Sequence, residues 1–375
     1  MKFNVSSATL CNRLQTLSRV IASKNSIQIL DCILFELQDG QLRLKASDSE
    51  TTLVSTLNVD EADSNGVFAI KAATIINGLK EIADQPITLE VNPETHEIVI
   101  FYQNGRSSFV GQGGEEYPVY PDIKDDAQQL SIDTNVLLNG ISRAIFATAE
   151  DEIRPVMNGI YFDITPDSVT FVASDGHKLV RDRSYTTHGG EQPSAFILPK
   201  KPAKMLKDIL AKESGDAIVK FDDRNARVEL ENYVLSCRLI EGRYPNYNSV
   251  IPQDNPFRVT VDRVTLIGAL RRVLVFASTA TSLVKLRVDQ NDLTVSTQDI
   301  DFSTSAEEHV LCDYSGTAMS IGFKGPFLVD ILNSMASQEV VLELADPSRA
   351  GVIVPAEQEE QEDLLMLLMP MMLNE

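Results

Sequence analysis

Apolar and polar positions alternate along much of the chain, and the alternation breaks where apolar residues fall three and four apart. In the first third, alternation over 33–37 and 41–45 predicts two strands. Asp39-Gly40 joins them, a dipeptide suited to a tight hairpin turn. A strand at 67–70, a helix at 74–82 and strands at 87–91 and 98–102 follow. The other thirds read the same way, with alternating strands at 130–132 and 259–261 leading into amphipathic helices. Each third is thus a duplicated strand–helix–strands unit, and the chain contains six.

Short tracts support the repeat. Leu17-Ser18-Arg19-Val20-Ile21, Ile141-Ser142-Arg143-Ala144-Ile145 and Leu270-Arg271-Arg272-Val273-Leu274 share a helical core. Leu79-Lys80-Glu81-Ile82, Leu206-Lys207-Asp208-Ile209 and Leu328-Val329-Asp330-Ile331 come later in each third. Between them lie Ala46-Ser47-Asp48, Ala173-Ser174-Asp175 and Ser296-Thr297-Gln298. Matching positions recur roughly every 120–130 residues, too long for a solenoid, so the chain reads as tandem domains. The expected domains are 1–121, 128–250 and 254–375, joined by polar, proline-bearing stretches at 118–128 and 245–256. The fold class is α+β, with helices on one side of antiparallel sheets. On its own the repeat fits a closed ring and a set of protein-binding domains equally well.

The 375 residues carry a net charge of −21, which at first argues against nucleic acid. Net charge does not say where the cations sit, however. In 200–212 (KKPAKMLKDILAK), Met205, Leu206, Ile209 and Leu210 form a buried stripe, and Lys200, Lys201, Lys204 and Lys207 fall largely off it. Arg13, Arg19, Lys71, Lys80, Arg143, Arg263, Arg271 and Arg272 also lie on or beside predicted helices. A single basic helix face is usually only solvated, but its repetition over equivalent helices suggests a surface for phosphates that reads no bases. Cys11, Cys32, Cys237 and Cys312 are scattered with no CxxC pair, which suggests reduced cytoplasmic thiols and no zinc site. No stretch approaches the roughly 20 apolar residues of a membrane span, and the N-terminus lacks a secretory core.

Met1-Lys2-Phe3-Asn4-Val5, 29–34 (ILDCIL), 173–179 (ASDGHKL), 241–247 (EGRYPNY) and 369–373 (MPMML) resemble the bacterial DNA polymerase III beta subunit, the DNA sliding clamp. The resemblance spans the whole chain. It implies three tandem DNA-clamp domains and a homodimeric ring, with helices lining the channel and antiparallel sheets outside. It further implies a non-catalytic processivity factor without cofactors, cytoplasmic and nucleoid-associated. Such a factor encircles double-stranded DNA regardless of sequence and tethers the replicative polymerase, the clamp loader and other proteins carrying a clamp-binding motif. Helix size agrees with this. Six helices about 10 Å wide enclose a hole of roughly 10 Å, and twelve leave roughly 28 Å, enough for a duplex about 20 Å wide. Two chains are therefore needed.

The resemblance implies a partner-peptide groove of Met157, Ser174, Gly176, His177, Lys178, Leu179, Pro245, Val250, Leu367, Leu368, Met369, Pro370, Met371 and Leu373. The ten apolar residues 364–373 suit such a groove, because methionine adapts to varied apolar anchors. Residues 364–368 are expected to form a core strand, and 369–373 to bind. DNA-facing cations are expected at Lys24, Lys71, Lys80, Arg143, Lys200, Lys201, Lys204 and Arg271. A dimer seam is expected at Phe109, Val275 and Phe276. Ser249 and Met372 stand where the family often has arginine, and Gly111 where it is usually apolar.

A metal-dependent nuclease is the rival enzyme reading, since Asp48, Asp175 and Asp299 recur. One aspartate per repeat, however, points to a shared turn. His96, His177, His188 and His309 lack metal-ligand spacing, and there is no P-loop, GxGxxG or GxSxG. A scaffold that never touches DNA is the second alternative.

Overall fold

Every strand ladder among the described residues is antiparallel, as the turn-linked alternation predicts. The structure is a computed structural model that describes residues 1–118, 123–124, 126–151, 153–187 and 189–373. His188 and part of the 118–128 connection lie outside them. The Asp39-Gly40 hairpin forms as expected. Both residues take positive φ, 51° and 77°, and Gln38 pairs with Gln41 across the turn.

Six α-helices lie among the described residues: α1 Ser7–Ser18, α2 Ala72–Lys80, α3 Thr134–Ala144, α4 Lys200–Leu210, α5 Arg263–Leu274 and α6 Gly325–Ser334. Matched positions start the first helix of each repeat. The Ser6 hydroxyl accepts from the Thr9 amide at 3.2 Å, the Asp133 carboxylate from Asn135 at 2.8 Å and the Asp262 carboxylate from Thr265 at 2.7 Å. Each satisfies an amide that has no partner within its helix. The predicted α4 stripe of Met205, Leu206, Ile209 and Leu210 is buried, and α1 and α5 bury matching stripes of Leu10, Leu14 and Leu17, and of Leu266, Leu270 and Val273.

The chain divides into two compact units, Met1–Asn135 with Lys204–Leu239, and Val136–Ala203 with Ile240–Glu375. The middle repeat thus gives one half to each. The reason is strand pairing across repeat boundaries. In the first unit Thr51–Asn58 pairs with Tyr233–Arg238 inside a nine-stranded sheet, beside a separate four-stranded sheet ending in Gly105–Val110. There α1 packs against α2. In the second unit Lys178–Ser184 pairs with Glu362–Leu368 inside a twelve-stranded sheet, and α5 packs against α6. No helix among the described residues is long and apolar enough to cross a membrane.

Candidate functional site

Each of the three recurring aspartates closes a turn by accepting two amides that follow it. Asp48 accepts the amides of Glu50 and Thr51 at 3.0 and 2.7 Å. Asp175 accepts those of His177 and Lys178 at 2.8 and 2.9 Å. Asp299 accepts those of Asp301 and Phe302 at 3.0 and 3.2 Å. A carboxylate used in this way closes an Asx-type turn. Among the described residues no group of three or more His, Cys, Asp or Glu could hold a metal ion.

The Asp175 turn organises the candidate groove. Gly176 has φ +89°, and a Cβ there would lie 2.7 Å from the Arg154 guanidinium, so both the backbone and the space call for glycine. The Ser174 hydroxyl accepts the Gly176 amide and donates to the Lys178 carbonyl at 2.9 Å. His177 stands exposed at the tip, and its carbonyl accepts the Met369 amide at 2.8 Å. Two residues on, Met371 donates to the Gly322 carbonyl at 2.8 Å. A Cβ on Gly322 would meet that segment at 2.7 Å, so glycine lets the tail lie close.

Beneath the tail, Leu179 and Leu367 join Val172, Ile197, Tyr244, Tyr247 and Ile251 in one buried apolar cluster. Tyr244 stacks on Tyr161 with centroids 4.7 Å apart, and the Tyr247 hydroxyl donates to Asp163 at 2.7 Å. Met157, Ser174 and Leu368 are buried as well. At the surface Pro245, Val250 and Met369 are exposed, while Pro370, Met371 and Leu373 are half-buried. Met372 is 81% exposed. The result is an apolar floor with an apolar rim, suited to seating short side-chain anchors.

Lys178 lies inside the turn. It is only 6% exposed, it pairs with Asp175, and its ammonium lies 3.9 Å from the Phe327 ring centroid. It braces the turn and offers no surface cation. Arg154 is a residue that sequence reading missed. Its guanidinium binds Asp151 and donates to the Asp175 carbonyl at 3.1 Å, leaving it half-exposed beside Gly176. It lies three residues before Met157, but nothing in the local pattern separates it from a solvated arginine.

The cations divide into two sets. Lys24, Lys71, Lys80, Lys201, Lys204 and Arg271 are exposed. Lys200 is partly covered and pairs with Glu150 at 2.5 Å. Arg143 is not the open cation expected. Its side chain is largely buried between Asp182 and Glu362, where it stitches α3 to the paired strands Lys178–Ser184 and Glu362–Leu368. Burial opposes its charge, but the two carboxylates outweigh burial and raise its pKa.

In the same network burial pushes Asp182 up to about 6, against the pull of Arg143. The folded chain therefore holds a proton that the unfolded chain loses near pH 4. Stability contributed by this group is full below pH 4 and falls as pH rises to 6, by on the order of 2–3 kcal/mol. Asp182→Asn removes that slope. The variant's stability relative to the parent should rise between pH 4 and pH 6, measured by urea unfolding. A pH-independent difference would contradict this.

Family models match the DNA polymerase III beta subunit's N-terminal domain at 1–121, its central domain at 131–246 and its C-terminal domain at 248–372. The chain belongs to the DNA polymerase III beta subunit family. A beta sliding clamp of Haemophilus influenzae is 27% identical over 98% of this chain and 99% of its own length. One from Caulobacter vibrioides is 25% identical over 94% and 96%. The fold matches a crystallised DNA polymerase sliding clamp of Pseudomonas aeruginosa, 22% identical, with a TM-score of 0.92 over the full length of both chains.

The positions expected at a dimer seam fall on two elements. Phe109 is half-buried on the edge strand Gly105–Val110, and Val275 and Phe276 are exposed at the end of α5. Gly111 has a steric reason to lack the usual apolar side chain. A Cβ would sit 2.7 Å from the Ala69 carbonyl and 2.8 Å from Ile98.

Proposed function

We propose that two copies of this chain close head to tail into a ring around duplex DNA and act as a non-catalytic processivity factor. The ring holds DNA by exposed helix cations and tethers the replicative polymerase, the clamp loader and other partners through the groove described above. It works in the cytoplasm, on the nucleoid. Each chain supplies three clamp domains, 1–121, 128–250 and 254–375.

One observation carries this reading. The strand following each Asx turn pairs with the last strand of the next repeat: Thr51–Asn58 with Tyr233–Arg238, and Lys178–Ser184 with Glu362–Leu368. The third such strand, Thr304–Asp313, pairs fully on one side only. On its other side, among the described residues, just Cys312 and Asp313 have partners. Gly105–Val110, the matched strand of the first repeat, likewise has one open edge among the described residues. A second copy supplies the missing strand, and the repeat then closes on itself.

The repeat also supplies the register. Ser47 pairs with Thr52, Ser174 with Leu179 and Gln298 with Ser305, so Thr51, Lys178 and Thr304 are matched positions. Thr51 faces Cys237 and Lys178 faces Leu368. Cys237, Leu368 and Phe109 are matched in turn through their hairpin partners Ala226, Gly351 and Ile98. Thr304 thus falls opposite Phe109 of the partner subunit. Two steps further, Ala306 meets a serine and the next residue, Glu307, faces Arg106 of the partner subunit, opposite charges on one pair.

Sedimentation should give a particle of twice the 41.4 kDa chain mass. Thr304→Cys combined with Phe109→Cys should yield a covalent dimer on mild oxidation. A monomer at micromolar concentration with no cross-link would contradict the ring.

A further inference from the structure

The third Asx turn is built differently from the other two. Asp299 pairs with Thr304, five residues on, where Asp48 and Asp175 bond to Thr51 and Lys178, three residues on, so measured from its aspartate the third turn is two residues longer. It is nevertheless ordered. Asp299 is buried and holds the amides of Asp301 and Phe302, Ser303 donates to the Ile300 carbonyl at 3.3 Å, and Ser303 takes φ 54°. This fixed loop presents two large apolar side chains to solvent, Ile300 at 79% and Phe302 at 77% exposure. The Thr304 hydroxyl donates to the Phe276 carbonyl at 3.1 Å, which ties the loop to the exposed pair Val275 and Phe276. Single exposed apolar residues are ordinary; four on two joined segments mark a surface that is covered.

We infer that the lengthened turn is an apolar clasp for the second copy of this chain, in which Ile300 and Phe302 cover Val110 of the partner subunit. The inference rests on the ring reading and extends its seam beyond Phe109, Val275 and Phe276. Register brings the turn to that edge, with Ser303 falling opposite Val110 of the partner subunit and its positive φ ending the strand alternation before Phe302. With Thr304 opposite Phe109, the residues before Thr304 run past Phe109 toward Val110 and Gly111. Val110 is itself 73% exposed, an apolar residue on an open edge strand with no cover in its own chain's four-stranded sheet. In the second repeat the matched turn already has its cover, since His177 is bonded to Met369 of the same chain. The longer third turn has no such segment against it among the described residues. The two extra residues therefore extend the seam where the ladder alone ends.

The test is the dimer dissociation constant of the full chain carrying Ile300→Ser and Phe302→Ser, measured by sedimentation over a concentration series. Both side chains are exposed, so thermal unfolding of the separated chain should be unchanged. The dissociation constant should rise at least about tenfold. Ile300→Leu with Phe302→Leu should restore most of the affinity, because the clasp needs apolar surface rather than shape. Phe302→Cys with Val110→Cys should form an interchain disulfide. A dimer as tight as the parent after both serine substitutions would overturn the clasp, while Thr304–Phe109 cross-linking in that variant would leave the ring intact. Failure of the Thr304–Phe109 cross-link in the parent turn would instead overturn the ring reading, and the clasp with it.

Discussion

Deleting residues 369–375 should weaken the binding of partner peptides by at least about 100-fold and leave the dimer intact. The deletion stops just after Leu368, which is wholly buried and pairs with Lys178, so the core strand Glu362–Leu368 is retained. What disappears is the half-exposed rim of Met369, Pro370, Met371 and Leu373, together with the hydrogen bonds that hold it to His177 and Gly322. Each apolar anchor seated against such a rim contributes about 1.5–3 kcal/mol when fully buried, so losing the rim removes most of a short peptide's affinity. None of the proposed seam residues is removed. Fluorescence polarisation with a labelled peptide bearing two or three apolar anchors measures the first effect, and sedimentation the second. Peptide affinity equal to that of the full chain would remove the groove from this surface. Because Ser249 and Met372 replace cations often found in the family, peptides with an acidic residue facing them should gain little over neutral ones.

The second large effect concerns DNA. Lys201→Glu with Lys204→Glu should shorten retention on DNA at least about tenfold at physiological salt. The logarithmic salt dependence of binding should become shallower by about 0.9 for each phosphate that is no longer neutralised. Lys201 and Lys204 are exposed on α4, whose opposite face is buried through Met205, Leu206, Ile209 and Leu210, so reversal alters charge without touching the core. Arg143→Ala gives the contrasting result. Its guanidinium is held between Asp182 and Glu362, and removing it strands buried carboxylate charge. That change should cost about 3–5 kcal/mol of stability and leave the salt slope of the surviving folded protein unchanged. An unaltered salt slope in the Lys201 and Lys204 variant would favour a scaffold that does not hold DNA.

Much of the fold is legible in the sequence because its signals are local. Alternation marks the strands, the Asp39-Gly40 dipeptide marks its hairpin, and apolar steps of three and four mark the helices with their buried stripes. Helix α2 begins at Ala72, two residues before the periodic run does, since alanine carries little periodic signal. The recurrence of Asp48, Asp175 and Asp299 reads correctly as a turn, because one carboxylate per repeat cannot converge on a single centre. The division into compact units is not legible. It depends on strands that pair across repeat boundaries, such as Thr51–Asn58 with Tyr233–Arg238, and pairing partners far apart in sequence leave no local trace.

The candidate site is legible in its apolar parts and misleading in its charged ones. Leu179, Leu367 and the methionine-rich tail sit where an apolar floor and rim require them. Arg143 looks like a surface cation, since a sequence shows a charge but not the carboxylates folded against it. Arg154 escapes notice for the same reason, because only the approach to Gly176 makes it part of the groove. In sequence the loop carrying Ile300 and Phe302 looks like any turn. Its meaning lies in comparison with the two shorter copies, which needs the ladder register.

The most direct measurement is topological. The protein is assembled on a closed circular duplex, excess protein is removed, and the circle is cut once with a restriction enzyme. A ring of two chains stays on the intact circle and slides off the free ends once the DNA is linear. Equal retention before and after cutting would mean that the protein grips DNA locally and does not encircle it.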